Sequence, residues 1–146
     1  MTETILVITG SDEPNIPLVL EHLNPEDIFR LNTDQILNYL SSLKVEKGSS
    51  EFFLTDNSGK TCQMSQVGSI WYRRPPEVIT VSDELSENHQ KFASREFQRF
   101  LLATWHTFVE REPIWVNHPL KLRRIELNKP HQLQVASEIG FQIPRH

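Results

Sequence analysis

Ile5-Leu6-Val7-Ile8 is an unbroken apolar run between two threonines, and a Gly-Ser-Asp turn signal follows it. A short, partly β-branched run of this kind predicts a parallel strand buried on both faces, at the centre of a sheet. Residues 15–23 then place Ile16, Val19, Leu20 and Leu23 on one helical face, with Asn15 or Asp12 as the expected cap. Strand, glycine-containing loop and helix open an α/β unit. Residues 27–32 alternate like a second strand and leave Asn32-Thr33-Asp34 at its carboxyl end.

From 34 to 43 the apolar positions Ile36, Leu37, Tyr39, Leu40 and Leu43 predict a helix, weakened at its end by Ser41-Ser42. Short strands over 43–46, 51–55 and 60–64 are separated by Lys47-Gly48-Ser49-Ser50 and by Asp56-Asn57-Ser58-Gly59, which predicts an antiparallel hairpin. A further strand over 67–73 contains Ile70-Trp71-Tyr72 and ends at Pro75-Pro76, since proline lacks an N–H and restrains its predecessor. A long helix follows, anchored by Phe92, Ala93, Phe97, Phe100, Leu101, Thr104, Trp105 and Phe108, with Lys91, Arg95, Arg99 and Glu110 on other faces and Pro113 at its end. Its aromatic stripe reads as core. Ile114-Trp115-Val116 supplies one more strand, 132–139 the last helix, and Gly140 the residue after it. The sum is an α/β fold: an open, mainly parallel sheet with helices on both faces and an inserted antiparallel β-hairpin.

Composition narrows the function classes. At 146 residues, 38% hydrophobic and 23% charged, the chain can bury a core without disulfides or metal. It lacks the roughly 18-residue apolar run a membrane span needs and the basic n-region of a secretory signal, so it reads as cytoplasmic with no membrane role. A net charge of −4 argues against a nucleic-acid partner, because such domains carry a basic excess. Cys62 is alone, so no internal disulfide forms, and a buried small residue is its plain reading. His22, His89, His106, His118, His131 and His146 show no metal-ligand spacing. Neither a Gly-x-Gly-x-x-Gly after the first strand nor a P-loop is present.

Chemistry concentrates in two places. Arg73 and Arg74 emerge at the carboxyl end of a strand, the edge where open α/β sheets form ligand crevices, and guanidinium groups there suit carboxylates or phosphates. Asp34 ends a strand at the same edge, either pairing with one of these arginines or lining a site with it. Thr9-Gly10-Ser11-Asp12 reads as a structural turn before it reads as an anion cradle.

The second place is the tail, where Ile114-Trp115-Val116-Asn117-His118-Pro119 precedes Asn128-Lys129-Pro130-His131-Gln132-Leu133 and Glu138-Ile139-Gly140-Phe141-Gln142-Ile143-Pro144. Together with Trp71-Tyr72-Arg73-Arg74-Pro75, this resembles the N-terminal, pre-ATP-grasp domain of the ATP-grasp ribosomal peptide maturases, the microviridin-type ligases. The resemblance implies a Rossmann-like pre-ATP-grasp domain over 1–119 and a connecting segment over 120–146 that leads toward an ATP-grasp domain. It implies ATP and Mg2+ as cofactors of the intact enzyme, none for this segment alone, and a phosphate contact for Lys129. Arg73, Arg74 and Asp34 become substrate or interdomain contacts, and no catalytic residue is expected here. The implied partners are the enzyme's own ATP-grasp domain and a precursor peptide closed into ester or amide rings, with a homodimer as a further expectation. A stand-alone peptide-binding or dimerisation module is the alternative.

Overall fold

A computed structural model describes residues 3–76, 81–109, 111–126 and 128–143. Glu110, Pro144 and His146, named above, lie outside the described residues. Contacts divide the chain into two compact units, Met1–Val116 and Asn117–His146. In chain order the first carries β1 (Thr4–Thr9), α1 (Asn15–Leu20), β2 (Ile28–Asn32), β3 (Leu40–Glu46), β4 (Ser49–Thr55), β5 (Thr61–Gln63), β6 (Val67–Tyr72), α2 (Glu87–Val109) and β7 (Ile114–Val116). The second carries α3 (Pro119–Glu126) and α4 (Lys129–Glu138).

The parallel sheet runs β2-β1-β6-β7. Side chains alternate along each strand, and β1 uses both faces as its apolar run requires. Leu6 and Ile8 pack with Phe29, Leu31 and Ile70 against Leu101, Trp105 and Phe108 of α2. Val7 packs with Ile28 against Ile16 of α1 on the other face. The chain is therefore α/β with helices on both faces of the sheet. Tyr72 closes the α2 side edge-on to Trp105, with ring centroids 6.1 Å apart.

The hairpin is larger than its sequence pattern suggests. β3, β4 and β5 form a separate three-stranded antiparallel sheet, whose Phe52, Leu54 and Cys62, with Met64 just beyond, join the α2-side core. The helix expected over 34–43 is not formed. A 3₁₀ stretch over Thr33–Asn38 is broken at Gln35, and β3 begins at Leu40. Of its apolar residues Ile36 is buried while Leu37 and Leu40 are exposed, so a helical face there has too little core to bury. The Tyr39 hydroxyl meanwhile bonds the Arg30 carbonyl and the Asn32 N–H, turning the chain into a strand that pairs with β4.

Helix α1 starts after Pro14 with no side-chain cap; Asn15 instead donates to Glu13 Oε1 at 2.7 Å, so neither Asn15 nor Asp12 caps it. In α2 the core stripe holds at Leu101, Thr104, Trp105 and Phe108, whereas Phe92 is exposed with the Arg95 guanidinium over its ring. The second unit brings α3 into the segment read as a link. Pro119 starts it, where a missing N–H costs nothing, and the Leu120 N–H finds His118 Nδ1. Helix α4 begins earlier than the apolar spacing indicates, at Lys129, because the Asn128 side chain caps it by accepting from the His131 N–H. It ends at Gly140, φ 93°, with Gly140 N–H on Ser137 O and Phe141 N–H on Ala136 O, the paired bonds of a Schellman motif. No helix among the described residues is long and apolar enough to cross a membrane.

Candidate functional site

The connection from β1 leads outward to β2, and the chain then returns on the far side of β1 as β6. This reversal lies between β1 and β6, and the crevice at the carboxyl ends of such strands is where open α/β sheets bind ligands. Here that edge is organised by the loop over residues 10–13. Asp34 takes the Ser11 N–H at 2.9 Å on Oδ1 and the Ser11 hydroxyl on Oδ2. Arg30 Nη2 donates to the carbonyls of Gly10 and Ser11, both at 3.0 Å. Thr33 Oγ1 reaches the Thr9 carbonyl. On the β6 side, the Arg73 N–H bonds the Ile8 carbonyl at 2.8 Å, and Arg73 Nη2 lies 3.7 Å from Glu13 Oε1.

The sequence Trp71-Tyr72-Arg73-Arg74 follows the pleat. Trp71 pairs with Val7 and packs on the α1 side, Tyr72 enters the α2-side core, and Arg73 returns to the α1 side. Arg74 is exposed and takes a positive φ of 41° before Pro75, a left-handed conformation uncommon for a side-chain-bearing residue and often found at functional edges. The Glu13 carboxyl is held below its ordinary value of 4.5, first by the hydrogen bond from the Asn15 side chain; burial opposes this, while the Arg73 and Arg74 charges add to it.

Arg73, Arg74 and Asp34 thus reach one edge, around one loop. Asp34 does not pair with an arginine: both its oxygens serve Ser11, making it the tie that shapes the loop. That bond also occupies an N–H the loop would need as an anion cradle, which favours the structural reading of the Gly10-Ser11 turn. Arg30 is the member that sequence reasoning passed over. The signal was present, since period-two alternation puts Arg30 on the face of Asn32 in Phe29-Arg30-Leu31-Asn32.

Lys129 belongs to the second unit, at the first residue of α4, where its Nζ donates to Gln132 Oε1 at 2.9 Å. One exposed lysine is a weak phosphate site, because a single solvated ion pair is worth only about 0–1 kcal/mol. Among the described residues no group of three His, Cys, Asp or Glu side chains is placed to hold a metal ion. Cys62 is buried in β5, and burial pushes its thiol up to about 12.

The comparisons with known proteins converge. The family model described as the MvdD pre-ATP grasp domain matches residues 4–123. A Chryseobacterium gregarium RiPP-associated ATP-grasp ligase, solved in complex with ADP and a leader and core peptide, superposes with a TM-score of 0.80 at 25% identity, over 98% of this chain and 43% of that one. The macrocyclase MdnB from Microcystis aeruginosa MRC gives a TM-score of 0.69 at 25% identity, over 97% of this chain and 51% of that one. The macrocyclase MdnC from the same organism, bound with precursor peptide MdnA, shares the fold with a TM-score of 0.80 at 23% identity, over 97% of this chain and 45% of that one. The chain spans about half the length of these structures. No curated protein sequence matches it.

Proposed function

The chain belongs to the MvdD pre-ATP-grasp domain family, and from that premise we propose that it serves as the N-terminal domain of a microviridin-type, cytoplasmic, ATP-dependent ligase. Such an enzyme joins side-chain carboxylates of a ribosomally made precursor peptide to hydroxyl or amine groups of the same peptide, as esters or amides. The observation that carries this reading is the family match over 4–123. The likeness to the Chryseobacterium gregarium ligase solved with ADP and peptide supports it.

In this reading the domain, residues 1–119, is non-catalytic, and 120–146 connect it toward an ATP-grasp domain. In the intact enzyme ATP and Mg2+ would supply the activation of the carboxylate, bound mainly by the ATP-grasp domain. Lys129 contributes one phosphate contact. Arg73 and Arg74 face the peptide or the adjoining domain, with Asp34 holding the loop between them and β2. Ile139, Phe141 and Ile143, at and after the end of α4, are each exposed, and large apolar side chains left in water so near one another in the chain support an adjoining partner. The test is reconstitution: the chain extended with the ATP-grasp part of its own gene product, MgATP and candidate precursor peptides, scored by mass for loss of one water per ring. Rings formed only with MgATP support the reading; hydrolysis of ATP without any ring overturns it.

A second reading, a dimerisation module, is favoured by one observation. Glu46 and Ser49 pair across a two-residue turn whose Lys47 and Gly48 both have positive φ, the type I′ geometry that hydrogen-bonds the closing pair. Alternation then turns the N–H and C=O groups of Ser41, Leu43 and Val45 away from β4, along an edge strand whose seven residues are all exposed. Two copies of β3, antiparallel and centred on Leu43, would use all of those groups. Light scattering of the chain against Leu43→Lys separates a dimer that dissociates on substitution from a monomer that never formed one.

A further inference from the structure

The carboxyl edge of the sheet holds more hydrogen-bonding capacity than the chain itself uses. Val7 and Thr9 lie opposite Arg30 and Asn32, and Val7 lies opposite Trp71. Side chains alternate along a strand, so Thr9, Arg30 and Asn32 share the α1 face, and Arg73, two residues beyond Trp71, joins them. Deeper along that face the residues are apolar: Val7, Ile16 and Ile28, with Ile5, Leu20, Leu23 and Trp71 around them. Helix α1 is only six residues long. Above its start a polar layer spans the ends of three neighbouring strands.

Four side-chain atoms in this layer are buried without a hydrogen-bond partner: Thr9 Oγ1, Arg30 Nε, Asn32 Oδ1 and Arg73 Nε. Thr9 is completely buried. Native proteins satisfy nearly all buried polar atoms, so unpaired ones gathered on one face at one edge call for a partner. Two of the four are guanidinium N–H donors and a third is a hydroxyl. The Asn32 amide presents a fourth donor when its oxygen and nitrogen exchange places, an assignment decided only by the partner it meets.

Charge selects the partner. Arg30, Arg73 and Arg74 surround the 10–13 loop, and Glu13 and Asp34 are the carboxylates bonded into it or paired beside it. Arg73 faces Glu13 and both Asp34 oxygens are taken up by Ser11, so the charge of this layer that meets no carboxylate is that of Arg30. Arg30 has carbonyl oxygens rather than a carboxylate as its partners. A planar carboxylate suits the uncompensated Arg30 charge and the N–H and hydroxyl donors gathered on this face. Access lies on the β6 side, where the Arg73 side chain keeps 27% of its surface.

We propose that Thr9, Arg30, Asn32 and Arg73 form a carboxylate-binding site for the acidic side chain of a peptide. The source of that carboxylate, a peptide substrate, rests on the function proposed above; the site itself rests on the unpaired atoms and on the Arg30 charge that meets no carboxylate. Arg30 and Arg73 present Nε–H groups to the carboxylate, and Thr9 sets its depth.

The test follows the arginine Nε–H resonances of the ¹⁵N-labelled chain while N-acetylglutamate α-amide is added, with N-acetylglutamine α-amide and inorganic phosphate as the other probes. Saturable shifts of the Arg30 and Arg73 signals by the glutamate probe, absent with the glutamine probe and several-fold weaker with phosphate, support the site. Thr9→Val should weaken the glutamate probe several-fold while the melting temperature holds or rises, because it deletes an unpaired buried hydroxyl. Equal responses to both amino-acid probes, a stronger response to phosphate, or no response overturns the site and leaves a layer filled by water. Ring formation is scored separately in the extended ligase. Rings without Nε–H shifts remove this site and keep the ligase reading; shifts without rings do the reverse.

Discussion

Asp34 grips Ser11 with both carboxylate oxygens, one on the backbone N–H at 2.9 Å and one on the hydroxyl. Twenty-three positions separate the two residues, so this contact fastens the loop after β1 to the turn after β2. Hydrogen bonds to charged groups contribute about 1.5–3 kcal/mol each when protected, and this pair is only part-buried. Asp34→Ala should therefore lower stability by about 2 kcal/mol in urea unfolding, and Asp34→Asn by less. An unchanged midpoint would mean that Arg30, through Gly10 and Ser11, holds the loop by itself.

Gly10 is required for close approach. A Cβ built there would lie 2.9 Å from both Cδ and Cγ of Pro76, nearer than side-chain carbons tolerate, and a proline ring cannot swing away as a flexible chain end can. Gly10→Ala should cost about 1–3 kcal/mol, the usual range for overpacking. Because the displaced segment adjoins Arg73 and Arg74, the amide spectrum should change there more than in β4 or β5. A variant as stable as the parent, with an unmoved spectrum, would contradict this packing.

Cys62 should be chemically silent in the folded chain. Burial raises its thiol from an ordinary 9.0 to about 12, only slightly opposed by Lys60, and the thiolate is the reactive form. Iodoacetamide at about pH 8 should label it only as fast as the chain unfolds. The sign of the pH dependence follows: between about 9 and 12 the unfolded thiol ionises while the folded one does not, so stability falls as pH rises through that window. Rapid labelling under native conditions would show that β5 opens freely.

Lys129 tests the link to the nucleotide. Its Nζ touches only the exposed Gln132 side chain among the bonds it makes, so Lys129→Ala should leave the chain's stability within about 0.5 kcal/mol. In the extended ligase the same change should raise the KM for ATP several-fold. A large loss of stability with an unchanged KM would make it a structural lysine.

What the sequence determined by itself is local. The apolar run of β1, the alternation of β2, the Ile70-Trp71-Tyr72 strand and the period of α2 each state how one element meets a core, because side-chain direction repeats every two residues in a strand and about every 3.6 in a helix. The placement of Arg73 and Arg74 at a strand's carboxyl end followed from the same rule. Tertiary structure decided what depends on partners distant in the chain. The stretch over 34–43 became a 3₁₀ turn and a strand because Tyr39 bonds β2 and Leu40 pairs with Thr55. Asn15 turned to Glu13 instead of capping α1, and Asp34 to Ser11 instead of to an arginine. Arg30 became part of the edge only when β2 came to lie beside β1, and Thr9 became an unpaired hydroxyl only when the sheet closed over it. Periodicity is a property of one segment, whereas burial, hydrogen-bond satisfaction and charge balance are properties of the space that several segments enclose.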